Sequence, residues 1–116
     1  MPTDIPEDLS LCHRLGAEPH PPASESRLGI SLAARTGAVP LHGLRHPPDG
    51  SSNGWFIWAG EYSDNPNLFQ PTCAHHIPSV LPVVLPYLAL PPGWRFLLAP
   101  GHEDVWFDPS LLTPAP

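Results

Sequence analysis

The chain has 116 residues, 11 acidic against five basic, and a formal charge of −6 at pH 7 with every basic residue an arginine. That length is one domain, able to bury a core of modest stability, and a hydrophobic share of 41% argues against disorder throughout. The acidic balance and the lack of lysine argue against a grip on a nucleic-acid backbone, leaving solubility or a basic partner as its use.

The opening stretch "MPTDIPEDLSLCHRLG" has neither a basic start nor an apolar core, so no signal peptide is expected. Residues 1–26 read as an N-terminal arm, free to stay flexible or to fold against a partner. A helical turn or two fits Glu7 to Leu15, with Asp4 or Ser10 as cap. "EPHPPASES" then reads as an extended linker. Cys12 and Cys73 form no CxxC pair, and reduced thiols are expected over a disulfide.

Regular structure starts at "RLGISLAA", where Leu28, Ile30 and Leu32 alternate with small residues at the period of a half-buried strand. Arg27 to Ala34 and Leu41 to His46 are expected to form a hairpin. "PPDGSSNG" is a loop by its turn dipeptides, and "WFIWAG" reads as a third strand. "EYSDNPNLFQP" reads as a polar surface loop.

The next segment sets prolines at 78, 82 and 86 within an apolar run. As a central strand it would carry three prolines on one side and break its ladder. As a helix it places Pro78 in the first turn, where the missing N–H is harmless, and aligns Val80, Leu81, Val84, Leu85 and Leu88 on one stripe. A bent helix over about Thr72 to Leu88, stopped by "LPPG", is therefore expected. The prolines also leave the run short of the roughly 20 apolar residues of a membrane span. Gly93 to Ala99 and Asp104 to Asp108 then form a hairpin around a tight turn at "GHED". The order β-β-β-α-β-β predicts an α+β domain over residues 27–116: an antiparallel sheet of about five strands with one proline-containing helix on a face.

Seven histidines raise the question of metal. His42 and His46 have the spacing of a zinc pair on a helix, which Gly43 and Pro47 oppose. His75 and His76 would diverge by about 100° on a helix. "GISLA" matches a nucleophile elbow only in part, and in a chain too short for that fold. No catalytic set emerges, and no cofactor is expected. The four tryptophans, Trp55, Trp58, Trp94 and Trp106, fall on predicted strands as packing groups, one or two of them as interface anchors. Glu61, Tyr62, Asp64, Asn65 and Asn67 lie on a predicted loop, as function-bearing groups or as turn caps.

The stretches "GWFIWAGEYSDNPNLF" and "HIPSVLPVVLPYLALPPGWRF" resemble the bacterial immunity protein 33 family. The shared pattern is Gly54 and Trp55 on a strand, Gly60 and Glu61, and an acidic-amide loop at Asp64, Asn65, Pro66 and Asn67. A helix with Pro82, Pro86, Tyr87 and Leu88 follows, closed by Leu90, Pro91 and Gly93. The resemblance runs from about Arg27 to Asp108. It implies an α+β fold, a helix at the proline stripe, and a cytoplasmic bacterial immunity protein of a polymorphic toxin system. Such proteins bind a cognate toxin, often a nuclease delivered by type VI or contact-dependent secretion. No family catalytic residues carry over. On this reading Glu61, Asp64, Glu103 and Asp104 mimic a substrate's charge for a toxin with a basic surface. Tyr62, Asn65, Asn67 and Trp106 complete the expected toxin-binding set. Two alternatives stand beside it: a small metal-dependent hydrolase using His102 and Glu103 with His75 or His76, and a regulatory module for a host protein.

Overall fold

Six short strands form one mixed sheet in the order β4-β1-β3-β2-β5-β6. They are β1 (Arg27–Ser31), β2 (Leu41–Arg45), β3 (Ser52–Ala59), β4 (Phe69–Cys73), β5 (Trp94–Ala99) and β6 (His102–Phe107). The structure is a computed structural model that describes residues 10–60 and 68–112. The α+β class agrees with the sequence reading, but the sheet has six strands and is not purely antiparallel, because β1 runs parallel to β3.

The expected hairpin of the first two strands is not formed. β1 lies between β3 and β4, while β2 lies between β3 and β5. The reason is local. Ser31 ends β1 and caps a helical turn, α2 (Leu32–Arg35), with its Oγ accepting from the Ala34 N–H at 3.1 Å. That turn carries the chain away from β1 before β2 begins. The second correction is β4, which takes its first three residues from the stretch read as a loop and its last two, Thr72 and Cys73, from the start of the expected helix. It pairs antiparallel with β1, Pro71 opposite Gly29. An edge strand tolerates a residue without an N–H, so Pro71 did not exclude a strand.

The proline stripe is helical but in pieces. A 3₁₀ turn (Ala74–His76) leads into a short α-helix (Ile77–Val80), and a 3₁₀-helix (Pro82–Tyr87) follows. The break is at Leu81, at φ −154° and ψ 64°. A residue before proline is driven out of the α region by the proline ring, and Leu81 precedes Pro82. Even so, Ile77, Leu81, Val84 and Leu88 all point into the core, as one stripe should.

The core lies on one side of the sheet. Leu28, Ile30, Leu41, Trp55, Ile57 and Phe96 from the strands meet Ile77, Leu81, Val84, Tyr87 and Leu88 from the helical segment. Leu11 and Cys12 of α1 (Ser10–Leu15) are buried in the same cluster, and Cys12 and Cys73 are not bridged. The Phe96 ring lies directly over Gly43, where a Cβ would overlap it, so the close approach of β2 and β5 needs glycine.

One buried cation crosses this core. Arg45, 3% exposed, donates from Nε to the Asn53 carbonyl (2.9 Å) and from Nη1 to those of His20 (2.7 Å), Leu90 (2.8 Å) and Leu88 (3.3 Å). Its guanidinium lies 5.7 Å from the Trp55 ring, whose Nε1 also donates to the Leu88 carbonyl at 3.1 Å. Burial pushes the Arg45 pKa down to about 10, which leaves it charged at neutral pH. The side chain thus ties the linker before β1 and the end of the proline segment to the sheet.

Candidate partner-binding face

Strand alternation gives the sheet a second face. His42 and Leu44 of β2, Phe56 and Trp58 of β3, Phe69 of β4, Arg95 and Leu97 of β5, and Asp104 and Trp106 of β6 belong to it by register. The side chains that α1, α2 and the proline segment bury in the core cluster meet strand residues of the opposite face. At one end a closing 3₁₀ turn (Pro109–Leu112) reaches the second face, where His46 Nδ1–H donates to the Leu111 carbonyl at 3.3 Å.

The aromatic groups of this face are held by one another. The His42 ring stacks on Trp58 with centroids 5.0 Å apart and planes 12° from parallel. Phe69 meets both Phe56 and Trp58 edge-on. Leu44, His46, Phe56, Trp58 and Phe69 line a shallow groove of about 270 Å³. Burial, and then the charge of Arg95, hold the His42 imidazolium pKa below its ordinary value.

β6 carries the described part of the predicted site. Its hairpin with β5 turns at Pro100 and Gly101, with Gly101 at φ +72°, so "GHED" is not the turn and His102 already pairs with Ala99. The shift matters, because Glu103 and Asp104 become neighbours on a strand and face opposite sides. Glu103 lies on the helix side, where it accepts from the Tyr87 hydroxyl and pairs with Arg14 at 3.5 Å. Burial, and then that bond to Glu103, raise the Tyr87 phenol pKa, so it remains a donor. Asp104 lies on the second face and accepts from His102 Nε2 at 2.8 Å. Trp106, 39% exposed, lies under the Arg95 guanidinium at 5.4 Å. Arg95 is aimed by Asp108 at 3.1 Å, while its buried Nε has no hydrogen-bond partner among the described residues. The remaining predicted residues, Glu61, Tyr62, Asp64, Asn65 and Asn67, lie outside the described residues.

The residues of the hydrolase alternative are not brought together. His75 and His76 follow β4 on one edge of the sheet, and His102 and Glu103 belong to β6 on the other. Five strand spacings separate those edges, about 24 Å. The rings of His75 and His76 touch edge-on at 4.1 Å, and His75 Nδ1–H donates to the Ser24 carbonyl at 3.0 Å. Among the described residues no three His, Cys, Asp or Glu side chains are placed to share a metal ion.

Sequence reasoning missed the His42–Trp58 stack and the Phe69 contribution. The alternation in "LHGLRH" and "WFIW" carried a signal for the first pair. Phe69 was hidden because its segment read as a loop.

No curated protein and no solved structure was found to match the chain. A family model described as the Imm33-like domain matches residues 7–108. The match reaches back before Arg27, where the resemblance read from the sequence begins, and it takes in α1, whose Leu11 and Cys12 are core residues. It also spans all six strands of the sheet. The chain belongs to the Imm33-like family of immunity-protein domains.

Proposed function

We propose that this chain is a non-catalytic immunity protein that neutralises a cognate bacterial toxin by covering its active site or substrate path. The observation that carries the reading is a sheet with α1, α2 and the proline segment packed on one face and β6 exposed at its edge, in a chain of the Imm33-like family. Asp104 supplies charge there, and Trp106, stacked under Arg95, supplies a rigid aromatic anchor. Glu103 extends the acidic surface from the helix side. The net charge of −6 favours encounter with a basic partner. The toxin is then a protein with a basic surface, a nuclease delivered by type VI or contact-dependent secretion, met in the cytoplasm. Glu61, Tyr62, Asp64, Asn65 and Asn67 remain part of the proposed toxin-binding set on sequence grounds alone.

The test is calorimetric titration with the catalytically inactivated toxin encoded beside this gene. Binding well below micromolar is expected, weakened about 30-fold or more by Trp106→Ala, as for a central aromatic anchor. No binding at micromolar concentration would end the reading.

A further inference from the structure

The two edges of the sheet differ. β4 is an edge strand blunted by Pro71. β6 is six residues long, pairs with β5 without a register shift, and contains neither proline nor lysine. His102, Glu103, Asp104, Trp106 and Phe107 are all exposed, and no described strand pairs with the outer side of β6.

The ladder tells which backbone groups stand free. The Asp108 N–H donates to the Gly93 carbonyl at 2.6 Å. Two strands away, the His46 N–H donates to the Gly54 carbonyl at 2.9 Å, which turns Gly43 towards β5 and its partner Phe96 towards β2. In an antiparallel ladder the sides alternate. Trp106, Asp104 and His102 therefore turn their N–H and C=O groups to β5. Those of Glu103, Val105 and Phe107 face outward.

We propose that this free edge takes up an extended segment of a basic partner protein as a seventh, antiparallel strand, with apolar residues opposite Val105, Trp106 and Phe107 and basic residues opposite Asp104 and Glu103. Backbone pairing to the three outward residues supplies affinity, and the split of β6 into an acidic and an apolar half supplies register. A second copy of this chain fits less well. Self-pairing on the outward groups avoids opposing like charges over the full edge only when centred on Val105. That register sets each Glu103 and Asp104 against Phe107 and Trp106 of the other copy, with Arg95 already held by Asp108 and Arg14 on Glu103 of its own chain. A basic segment brings positive charge to both carboxylates, of which Glu103 already has Arg14 beside it, whereas a second copy adds another −6.

The inference rests on the toxin reading only for the partner's identity, so its first test needs no toxin. The ¹⁵N-labelled full chain is titrated with a blocked peptide, Thr-Val-Val-Val-Arg-Arg-Thr, and with its Glu-Glu counterpart. The arginine peptide should shift the amides of Glu103, Val105 and Phe107 and slow their exchange at least tenfold. The glutamate peptide should do neither, and N-methylating the arginine peptide's β6-facing amides should abolish binding. Binding that survives N-methylation overturns the proposal. So do shifts confined to the second face, no binding at millimolar peptide, or protection of those amides by self-association without peptide. In the toxin complex, a bound toxin that leaves these amides unprotected refutes the edge and spares the immunity reading. Absence of any complex refutes the immunity reading and leaves the edge to the peptide result.

Discussion

Replacing Arg45 by methionine keeps most of the side-chain volume and removes every hydrogen bond of the guanidinium. Burying the charge already has a cost: the fall in its pKa from 12.5 to about 10 corresponds to about 3 kcal/mol. Against that stand three N–H donors of a charged group, the Nε–H and the two Nη1 hydrogens, each worth roughly 1.5–3 kcal/mol, with the 3.3 Å contact to Leu88 sharing an Nη1 hydrogen. In the variant Leu88 keeps the Trp55 indole as donor, while the carbonyls of Asn53, His20 and Leu90 lose the donor that Arg45 gave them. His20 lies towards the surface and can turn to water; Asn53 and Leu90 are buried. The bonds outweigh the desolvation, and a net loss of roughly 3–5 kcal/mol is expected, as for other buried charges stripped of their partners. In a domain of this size that is a large part of the total stability and lowers Tm by roughly 12–20 °C. Urea unfolding followed by tryptophan fluorescence measures it, since Trp55 is fully buried. A variant within about 1 kcal/mol of the parent at unchanged m-value would show that an apolar isostere serves as well, and would refute the account.

Three further outcomes can be checked on the isolated protein. Gly54 has φ +94° and no room for a Cβ beside the His46 carbonyl, so Gly54→Ala should destabilise by about 2 kcal/mol or more in the same urea assay. His42 has a lowered pKa, so below its ordinary 6.5 the unfolded chain takes up a proton that the folded chain resists. Stability should fall as pH drops below 6.5, and His42→Gln should flatten that slope; an unchanged slope contradicts the assignment. The Asp108 carboxyl is held below its ordinary 3.8, first by the Ser110 hydroxyl and then by Arg95. Its contribution is present above that value and is lost as pH falls through the lower folded pKa. Asp108→Asn should remove that loss, seen as a flatter acid limb in thermal melts between pH 4 and 2.

The buried stripe of the proline segment was legible in part: of Val80, Leu81, Val84, Leu85 and Leu88, which repeat at helical spacing, Leu81, Val84 and Leu88 are in the core and Val80 and Leu85 pack against it, while the break that Pro82 imposes at Leu81 was read only as a bend. Strand faces were legible too, since alternation is a local property of "LHGLRH" and "WRFLL". Strand neighbours were not. That β1 pairs with β3 in parallel and with β4 depends on contacts across 20 or more residues, and no short-range pattern encodes them. β4 itself was concealed by Pro71, which is a strand breaker only where both edges are paired. At the candidate site, the structure departs from the sequence reading in the geometry of the acidic pair. Placing the turn at "GHED" made Glu103 and Asp104 one cluster, whereas moving it to Pro100 and Gly101 sends one to Tyr87 and Arg14 and the other to His102.

That division bears on how the second face would bind. Asp104 and Trp106 share it with groups that are already constrained: Trp58 under His42, Phe69 against Phe56 and Trp58, and Trp106 under Arg95. Aromatic side chains fixed before association lose little freedom on binding, so more of their contact energy is left as affinity. Arg95 is central to this, because Asp108 holds one end of its guanidinium while the other covers Trp106. Removing Asp108 would therefore loosen Trp106 without touching any exposed contact surface on β6. A partner surface built this way depends on residues behind it as much as on those a partner meets.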